Sequence, residues 1–178
     1  MNELFTSLRV SFFAAARALF GALALFVALT ILILFVFRFV DPPMSAVMLR
    51  DHWRGARVEQ QWTPLEKISP DLVRAVISSE DARFCTHWGI DWREFERALR
   101  DAGRRGLDRA RGASTLTMQV AKNLFLWTDR SVLRKSLEVA ITPLIELVWT
   151  KRRILEVYLN IAQWGRGVFG AKAAATRY

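Results

Sequence analysis

Cysteine is nearly absent from this sequence: Cys85 is the only one in 178 residues. No disulfide can form within the chain, and neither a disulfide scaffold nor a cysteine-built metal site is available. Flanked by Phe84 and Thr86, the thiol reads as a small buried hydrophobe. Histidine is almost as scarce. His52 and His87 stand far apart, without an HxH or HxxxH spacing, which excludes a histidine-built metal centre. No internal repeat or low-complexity stretch is present, so solenoids and disordered arrays are excluded. The glycines of 106–115 lack a following lysine and serine or threonine, which excludes a nucleotide-binding phosphate loop. Acidic residues are also short, 17 against 26 Lys and Arg, leaving a net charge of +9.

One feature is in excess. Residues 18–37 carry no charge, and only Gly21 and Thr30 interrupt the apolar run. As a helix this stretch is about 30 Å long, the thickness of a bilayer core. A transmembrane helix is the expectation, because Arg38, Asp41 and Pro42 follow it rather than a small-residue cleavage site. Residues 1–17 form a short basic lead-in, 38–69 a linker and membrane-proximal region, and 70–178 the main domain. Arg9 and Arg17 precede the span, whereas Arg38, Arg50, Arg54 and Arg57 follow it. Counting them alone places the N-terminus outside. A basic domain held beside a bilayer points to membrane lipids and a pyrophosphate head group as partners, not nucleic acid.

The main domain reads as all-α. Val47, Met48 and Leu49 suggest a short strand, within a small hairpin near 46–60. Thr63 and Pro64 open a short helical turn. Ser69 and Pro70 start a helix that ends near Glu80, and Asp91 caps another that stops at Ala102 and Gly103. Arg104, Arg105, Arg109 and Arg111 then crowd a glycine-rich, positively charged loop predicted to be mobile. Ser114 caps a helix to Leu124, and Ser131 caps a longer one with Leu133, Leu137, Ala140, Leu144 and Leu147 in a stripe. Pro143 should kink or divide that helix. A helix over 151–161 presents Ile154, Leu155, Tyr158 and Leu159 inward. Gly165, Gly167 and Gly170 mark a turn, and a last alanine-rich helix begins at 171.

Chemistry concentrates in few places. Glu80 and Asp81 end a helix beside Phe84, His87 and Trp88, where a partly apolar cleft would suit a carboxylate to acid or base work. A surface acid pair joined to Arg83 is the plainer alternative. Ser114 and Thr115 cap a helix whose free amides suit phosphate, with Gln119, Lys122 and Asn123 following on it. Arg130, Arg134, Lys135 and Glu138 form a third group, in which Arg134 and Glu138 can pair as surface ions. Glu146, Glu156 and Lys151-Arg152-Arg153 read equally well as solvated charge.

These groups fall in an order that resembles one family. Glu80-Asp81-Ala82-Arg83-Phe84, then His87, Gly89 and Asp91, is similar to the first signature of the peptidoglycan glycosyltransferases. Residues 112–124, through Ser114, Thr115, Gln119, Lys122 and Asn123, resemble the second, and 134–138 the third. Residues 153–160 with Gly165, Gly167, Gly170, Ala173 and Ala174 resemble the fourth. The run Asn123-Leu124-Phe125-Leu126-Trp127 looks closest to the monofunctional biosynthetic branch. Met118 departs from the pattern, standing where a glutamine is common.

The resemblance implies a lysozyme-like helical domain behind a single transmembrane helix. It implies polymerisation of a lipid-linked disaccharide-pentapeptide acceptor onto a glycan donor carried on undecaprenyl pyrophosphate, with inversion to a β-1,4 bond. It also implies a bacterial inner-membrane location, with the N-terminus cytoplasmic and the catalytic domain periplasmic, against the charge count. Cell-wall synthesis proteins become candidate partners. Glu80 would be the general base and Glu138 the second essential carboxylate. Lys122, Arg130, Arg134 and Lys135 would meet the pyrophosphate, with Ser114, Thr115, Gln119 and Asn123 supporting the donor. Asp81, Phe84 and His87 would shape the cleft. No cofactor is obligatory, and a divalent cation, magnesium or manganese, could assist at the phosphates. The family continues past Tyr178, so a C-terminally incomplete domain is expected. A membrane-anchored lytic enzyme using Glu80 as an acid, or a non-enzymatic basic scaffold, are the competing readings.

Overall fold

The structure, a computed structural model, describes residues 2–105, 114–129 and 131–178, with the side chains of 2–12, 99 and 101–105 left aside. The chain opens with α1, Asn2–Phe39, whose stretch Phe13–Phe39 is long and apolar enough to cross a membrane. Most of this stretch is exposed. Only one face, Val27, Thr30, Leu34 and Phe37, is covered, at helical spacing, and the helix packs there against α6.

Short elements follow: α2 (Ala46–Trp53), β1 (Glu59–Gln60) and a 3-10 turn at Leu65–Lys67. Then come α3 (Pro70–Glu80), α4 (Trp92–Arg105), α5 (Leu116–Phe125), α6 (Val132–Val148) and α7 (Lys151–Ile161). The hairpin of β2 (Gln163–Gly165) and β3 (Val168–Phe169) leads into α8 (Ala171–Arg177). The domain is therefore largely helical, as expected. α5 is its central rod, packed on both α6 and α7. Leu116, Val120 and Ala121 from α5 meet Ile141 and Ile145 from α6, and Ile154, Val157 and Leu159 from α7, in one core.

Several local expectations are overturned. Residues 46–53 form α2 rather than a hairpin, because the Ser45 hydroxyl accepts the Met48 amide and caps a helix there. The small sheet instead has the order β1-β3-β2, with β1 parallel to β3, so Glu59 reaches a partner more than a hundred residues away, Val168. Its hairpin turns at Gly167, where φ is +74° and a Cβ would lie 2.3 Å from the Arg57 carbonyl. The stripe on α6 is also turned. Leu133, Ala140 and Leu147 face outward, while Glu138, Ile141, Thr142, Ile145 and Glu146 are buried. Pro143 sits on the outer side and does not divide α6. Cys85 is exposed, not buried. Finally, α4 runs to Arg105, past the expected stop, and the basic loop beyond it lies outside the described residues, as does Arg130.

The membrane helix is fastened to the domain by polar contacts. Trp149 Nε1 donates to the Leu34 carbonyl at 2.7 Å. Arg153 donates to the Phe37 carbonyl through Nε and Nη2, at 3.0 and 2.9 Å, and to the Val40 carbonyl at 2.9 Å. In return, Arg38 donates to the Val148 carbonyl at the end of α6. The last carbonyls of a helix lack partners within it, and the bonds to Phe37 and Val148 satisfy two of these. Three of the four arginines after the span are thus engaged within the protein: Arg38 here, Arg50 with Asp51 and Thr128, and Arg57 with Glu59.

Candidate active site

The site forms where the end of α3 meets α5 and the first turns of α6. Ser69 caps α3 through the Asp71 amide, with Pro70 at its first position, and the helix delivers Glu80 as its last residue. Asp81 leaves the helix and its carboxylate is buried. One oxygen meets His87 Nε2 at 2.8 Å, and the other accepts the Leu116 amide at 3.0 Å. Asp81 thereby ties the residue after Glu80 to the N-terminus of α5. Arg83 binds Asp91 through Nε and Nη2, while Asp91 also caps α4 through the Glu94 amide. Burial alone would raise the Asp91 carboxyl, but that amide and Arg83 outweigh it and hold it below the usual range.

Beneath this loop lies a buried polar knot. Glu146 accepts from Thr117 Oγ1 at 2.6 Å and from Lys151 Nζ at 2.8 Å. Lys151 also stands 4.5 Å from the centre of the Phe84 ring. Gly89 closes against the same place. Its φ is +77°, and a Cβ would come within 2.5 Å of Thr142 Cγ2. Phe84 is thus a core residue of the loop, 1% exposed.

Thr115, not Ser114, is the cap of α5: its hydroxyl accepts the Met118 amide and donates to the Gly89 carbonyl. Ser114 stays exposed and accepts from Lys135 Nζ at 2.9 Å. Lys135 also reaches Glu138 at 2.9 Å, and Arg134 pairs with the same carboxylate, which is 2% exposed. Burial, with Arg134 and Lys122 nearby, pulls the Lys135 ammonium down to about 8 despite Glu138. Burial and Arg134 lower Lys122 as well, while the Glu80 charge opposes the shift. Cations that depress one another in a part-buried cleft form a ready anion site.

Gln119 and Glu80 join the two halves. The Gln119 amide donates to Glu80 at 2.9 Å, and Gln119 Oε1 lies 3.5 Å from the Tyr158 hydroxyl. On one side is a cavity of about 210 Å³ lined by Ser79, Glu80, Arg83, Ser114 and Thr115. On the other is one of about 230 Å³ lined by Gln119, Lys122, Asn123, Tyr158 and Gln163. Burial pushes the Tyr158 hydroxyl up to about 12, helped by the negative charge of Glu80.

Sequence reasoning missed three contributors. Tyr158 reads as a core residue of α7, yet its hydroxyl faces the cleft. Glu146 and Lys151 read as solvated, and nothing in their spacing shows that Thr117 and Phe84 wait for them. The other named residues come together as described, and Arg130 lies outside the described residues.

Asp81, His87 and Asp91 bring donor atoms within 4.8 Å of one another. They do not fit a divalent cation as they stand. Arg83 already neutralises Asp91 through both carboxylate oxygens, and both Asp81 oxygens are bonded to the protein. A dication would have to displace those partners.

Together, the anchoring helix and a cleft that sets a carboxylate among cations define the class: a membrane-anchored helical enzyme acting on an anionic substrate. Comparison with known proteins makes this specific. The family model described as transglycosylase matches residues 48–178. A biosynthetic peptidoglycan transglycosylase of Rhodospirillum centenum is 54% identical over 92% of this chain and 68% of its own length. Proteins of the same description from Pseudomonas putida and Chromohalobacter salexigens are 52% and 51% identical, covering 89% and 91% of this chain and 69% and 71% of their own lengths. The chain belongs to the transglycosylase family and is a peptidoglycan glycosyltransferase, similar to the biosynthetic branch. It polymerises peptidoglycan glycan from lipid-linked substrates, anchored to the membrane through α1.

Proposed function

We propose that Glu80 is the general base of an inverting transfer between two lipid-linked substrates. The acceptor is the lipid-linked disaccharide-pentapeptide, and its sugar 4-hydroxyl is the nucleophile. The donor is the growing glycan on undecaprenyl pyrophosphate. As the acceptor oxygen attacks the donor anomeric carbon, Glu80 takes its proton. The bond to pyrophosphate breaks, and the lipid pyrophosphate leaves with the electron pair. An alcohol is a poor nucleophile unless its proton is removed in the transition state, and inversion requires the base opposite the leaving group.

One observation carries this reading. Glu80 is exposed to a cleft in which Lys122, Arg134 and Lys135 converge, with buried Glu138 fixing the last two. The cations would stabilise the pyrophosphate charge that grows as the bond breaks. Arg130 belongs to the same proposed group by sequence. Glu138 acts by holding Arg134 and Lys135 in place, and Ser114 by holding Lys135. Gln119 orients Glu80, while Thr115, Asn123, Asp81, Phe84 and His87 support the cleft walls. A lytic enzyme acting on neutral glycan has no use for these cations.

The domain faces the outer side of the inner membrane, where flipped precursor is found, and residues 1–17 lie in the cytoplasm. Arg38, Arg50 and Arg57, which weigh against this orientation in a charge count, are engaged within the protein instead. The test is purified full chain with lipid-linked disaccharide-pentapeptide in detergent. Glycan polymer and free lipid pyrophosphate should appear in step, and polymer without released pyrophosphate would contradict the reading.

A further inference from the structure

On the side of α2 away from the cleft lies an open cavity of about 590 Å³ that the transfer chemistry does not use. Pro43 and Met44, from the segment after the membrane helix, form one wall. His52, Arg57, Val58 and Gln60, from the end of α2 into β1, form the other. Val47 lines the cleft cavity of Gln119 and Lys122. His52 stands about 140° round the helix from Val47, so the two spaces use different faces of α2.

The fold builds this cavity in advance. Gly55 turns the chain with φ at +75°. The Ala56 amide donates to the Asp51 carbonyl at 3.0 Å, and the Glu59 amide donates to the Gly167 carbonyl at 2.8 Å. The loop after α2 is therefore held at both ends.

Two relations say what the cavity takes. The first is charge. Arg54 stands between the wall residues His52 and Gly55, is exposed, and makes no ion pair among the described residues. The Arg57 side chain is 89% exposed and meets Glu59 only at 3.5 Å, while Arg177 holds the same carboxylate at 3.1 Å. Arg57 can therefore turn to another anion without stranding Glu59. Two guanidinium groups and an imidazole at one mouth suit a phosphodiester. The second relation is height. Pro43 and Met44 follow the end of the membrane helix at Phe39 by less than about 20 Å of chain. The exposed Trp53 is of the kind found at headgroup level. A ligand at this mouth carries its charge above an apolar body and is reached from the bilayer.

We propose that this cavity binds the headgroup of an anionic phospholipid, with the phosphodiester between Arg54 and Arg57 and the upper acyl chains against Pro43 and Met44. The ligand is a lipid of the bilayer rather than a substrate of the transfer, so the site stands whether or not Glu80 is the base. Once occupied, it ties the linker and α2 to the bilayer surface.

The test uses full-length protein in phosphatidylcholine nanodiscs that contain phosphatidylglycerol with a photoreactive headgroup. Labelling is expected within 43–44 and 52–60, displaced by unlabelled phosphatidylglycerol. Label spread evenly along the membrane helix would overturn the proposal. Equal displacement by glycerol phosphate would make this a free-phosphate site, and equal displacement by polyprenyl pyrophosphate would return the label to the substrate path. Either result would also overturn it. In detergent, the affinity for fluorescent phosphatidylglycerol should fall roughly tenfold to thirtyfold in the double variant Arg54→Gln, Arg57→Gln, with folding checked by thermal unfolding. Arg54→Lys with Arg57→Lys should retain most of the affinity. Arg97→Gln with Arg100→Gln removes the same charge from the exposed side of α4 and should change the affinity by less than about twofold. Equal losses from the two glutamine pairs would reduce the attraction to net charge and contradict a built site.

Discussion

Gln119 donates its side-chain amide to the Glu80 carboxylate at 2.9 Å. The bond runs from the middle of α5 to the last residue of α3 and fixes the rotamer of a carboxylate that is otherwise exposed. The Tyr158 hydroxyl, on the other side of Gln119, restrains which end of the amide faces Glu80. In a transfer between two bulky substrates, a base that wanders loses the alignment on which the rate depends.

Replacing Gln119 with Met keeps the bulk and removes the donor. The expected outcome is a fall in kcat of roughly tenfold to a hundredfold, with KM changed far less. Steady-state polymerisation kinetics check this. An effect confined to KM would place Gln119 on substrate rather than on Glu80.

Lys135 carries a pH dependence whose sign follows from its environment. Its ammonium is pulled from 10.5 to about 8, so the cation needed for pyrophosphate is lost as pH rises through about 8. The profile of kcat/KM, which reports the free enzyme, should descend there. Lys135→Arg should move the descent to higher pH. For stability the sign is opposite. Below about 8 the charged form burdens the fold, and the burden lifts between about 8 and 10.5.

Arg153 and Arg152 are neighbours in a basic run and should behave very differently. The Arg153 side chain is 12% exposed and binds the Phe37 and Val40 carbonyls, Asp41 and Glu156. Arg153→Ala leaves these partners unmatched and should cost about 3 kcal/mol, a drop of roughly 6–12 °C in Tm. Arg152 pairs with Glu66 at the surface, and Arg152→Ala should cost less than about 1 kcal/mol. Thermal unfolding of both variants in one detergent makes the comparison.

That contrast shows where the sequence was readable. Ser69, Asp91, Ser131 and the Lys151–Ile161 helix were legible because caps and helical period are local signals. Arg153 was not, because the Phe37 and Val40 carbonyls and Asp41, which it binds, lie at and just past the end of the membrane helix more than a hundred residues away. Glu146 and Lys151 looked solvated because Thr117 and Phe84, which they meet, stand on other elements. Val47 to Leu49 misled because three apolar residues do not separate strand from helix, and Ser45 decided it. The outward stripe on α6 misled because a helix tied to a membrane span can present apolar residues away from the protein core. The cleft residues were legible as an ordered pattern, whereas their partnerships, such as Thr115 with Gly89 and Lys135 with Ser114, required the fold.

Cys85 offers a test of orientation. It is the one cysteine of the chain and is exposed on the loop after Glu80. A membrane-impermeant thiol reagent should label it in intact spheroplasts. Protection until the membrane is broken would place the catalytic domain in the cytoplasm.

The most direct measurement is single-turnover glycosyl transfer by Glu80→Gln beside wild type, with folding verified by thermal unfolding. The substitution keeps the shape and the neighbouring Gln119, and it removes the base. The account predicts a loss of at least about a hundredfold in the chemical step, with the lipid-linked substrates still bound. Unchanged transfer by a folded Glu80→Gln enzyme would contradict it.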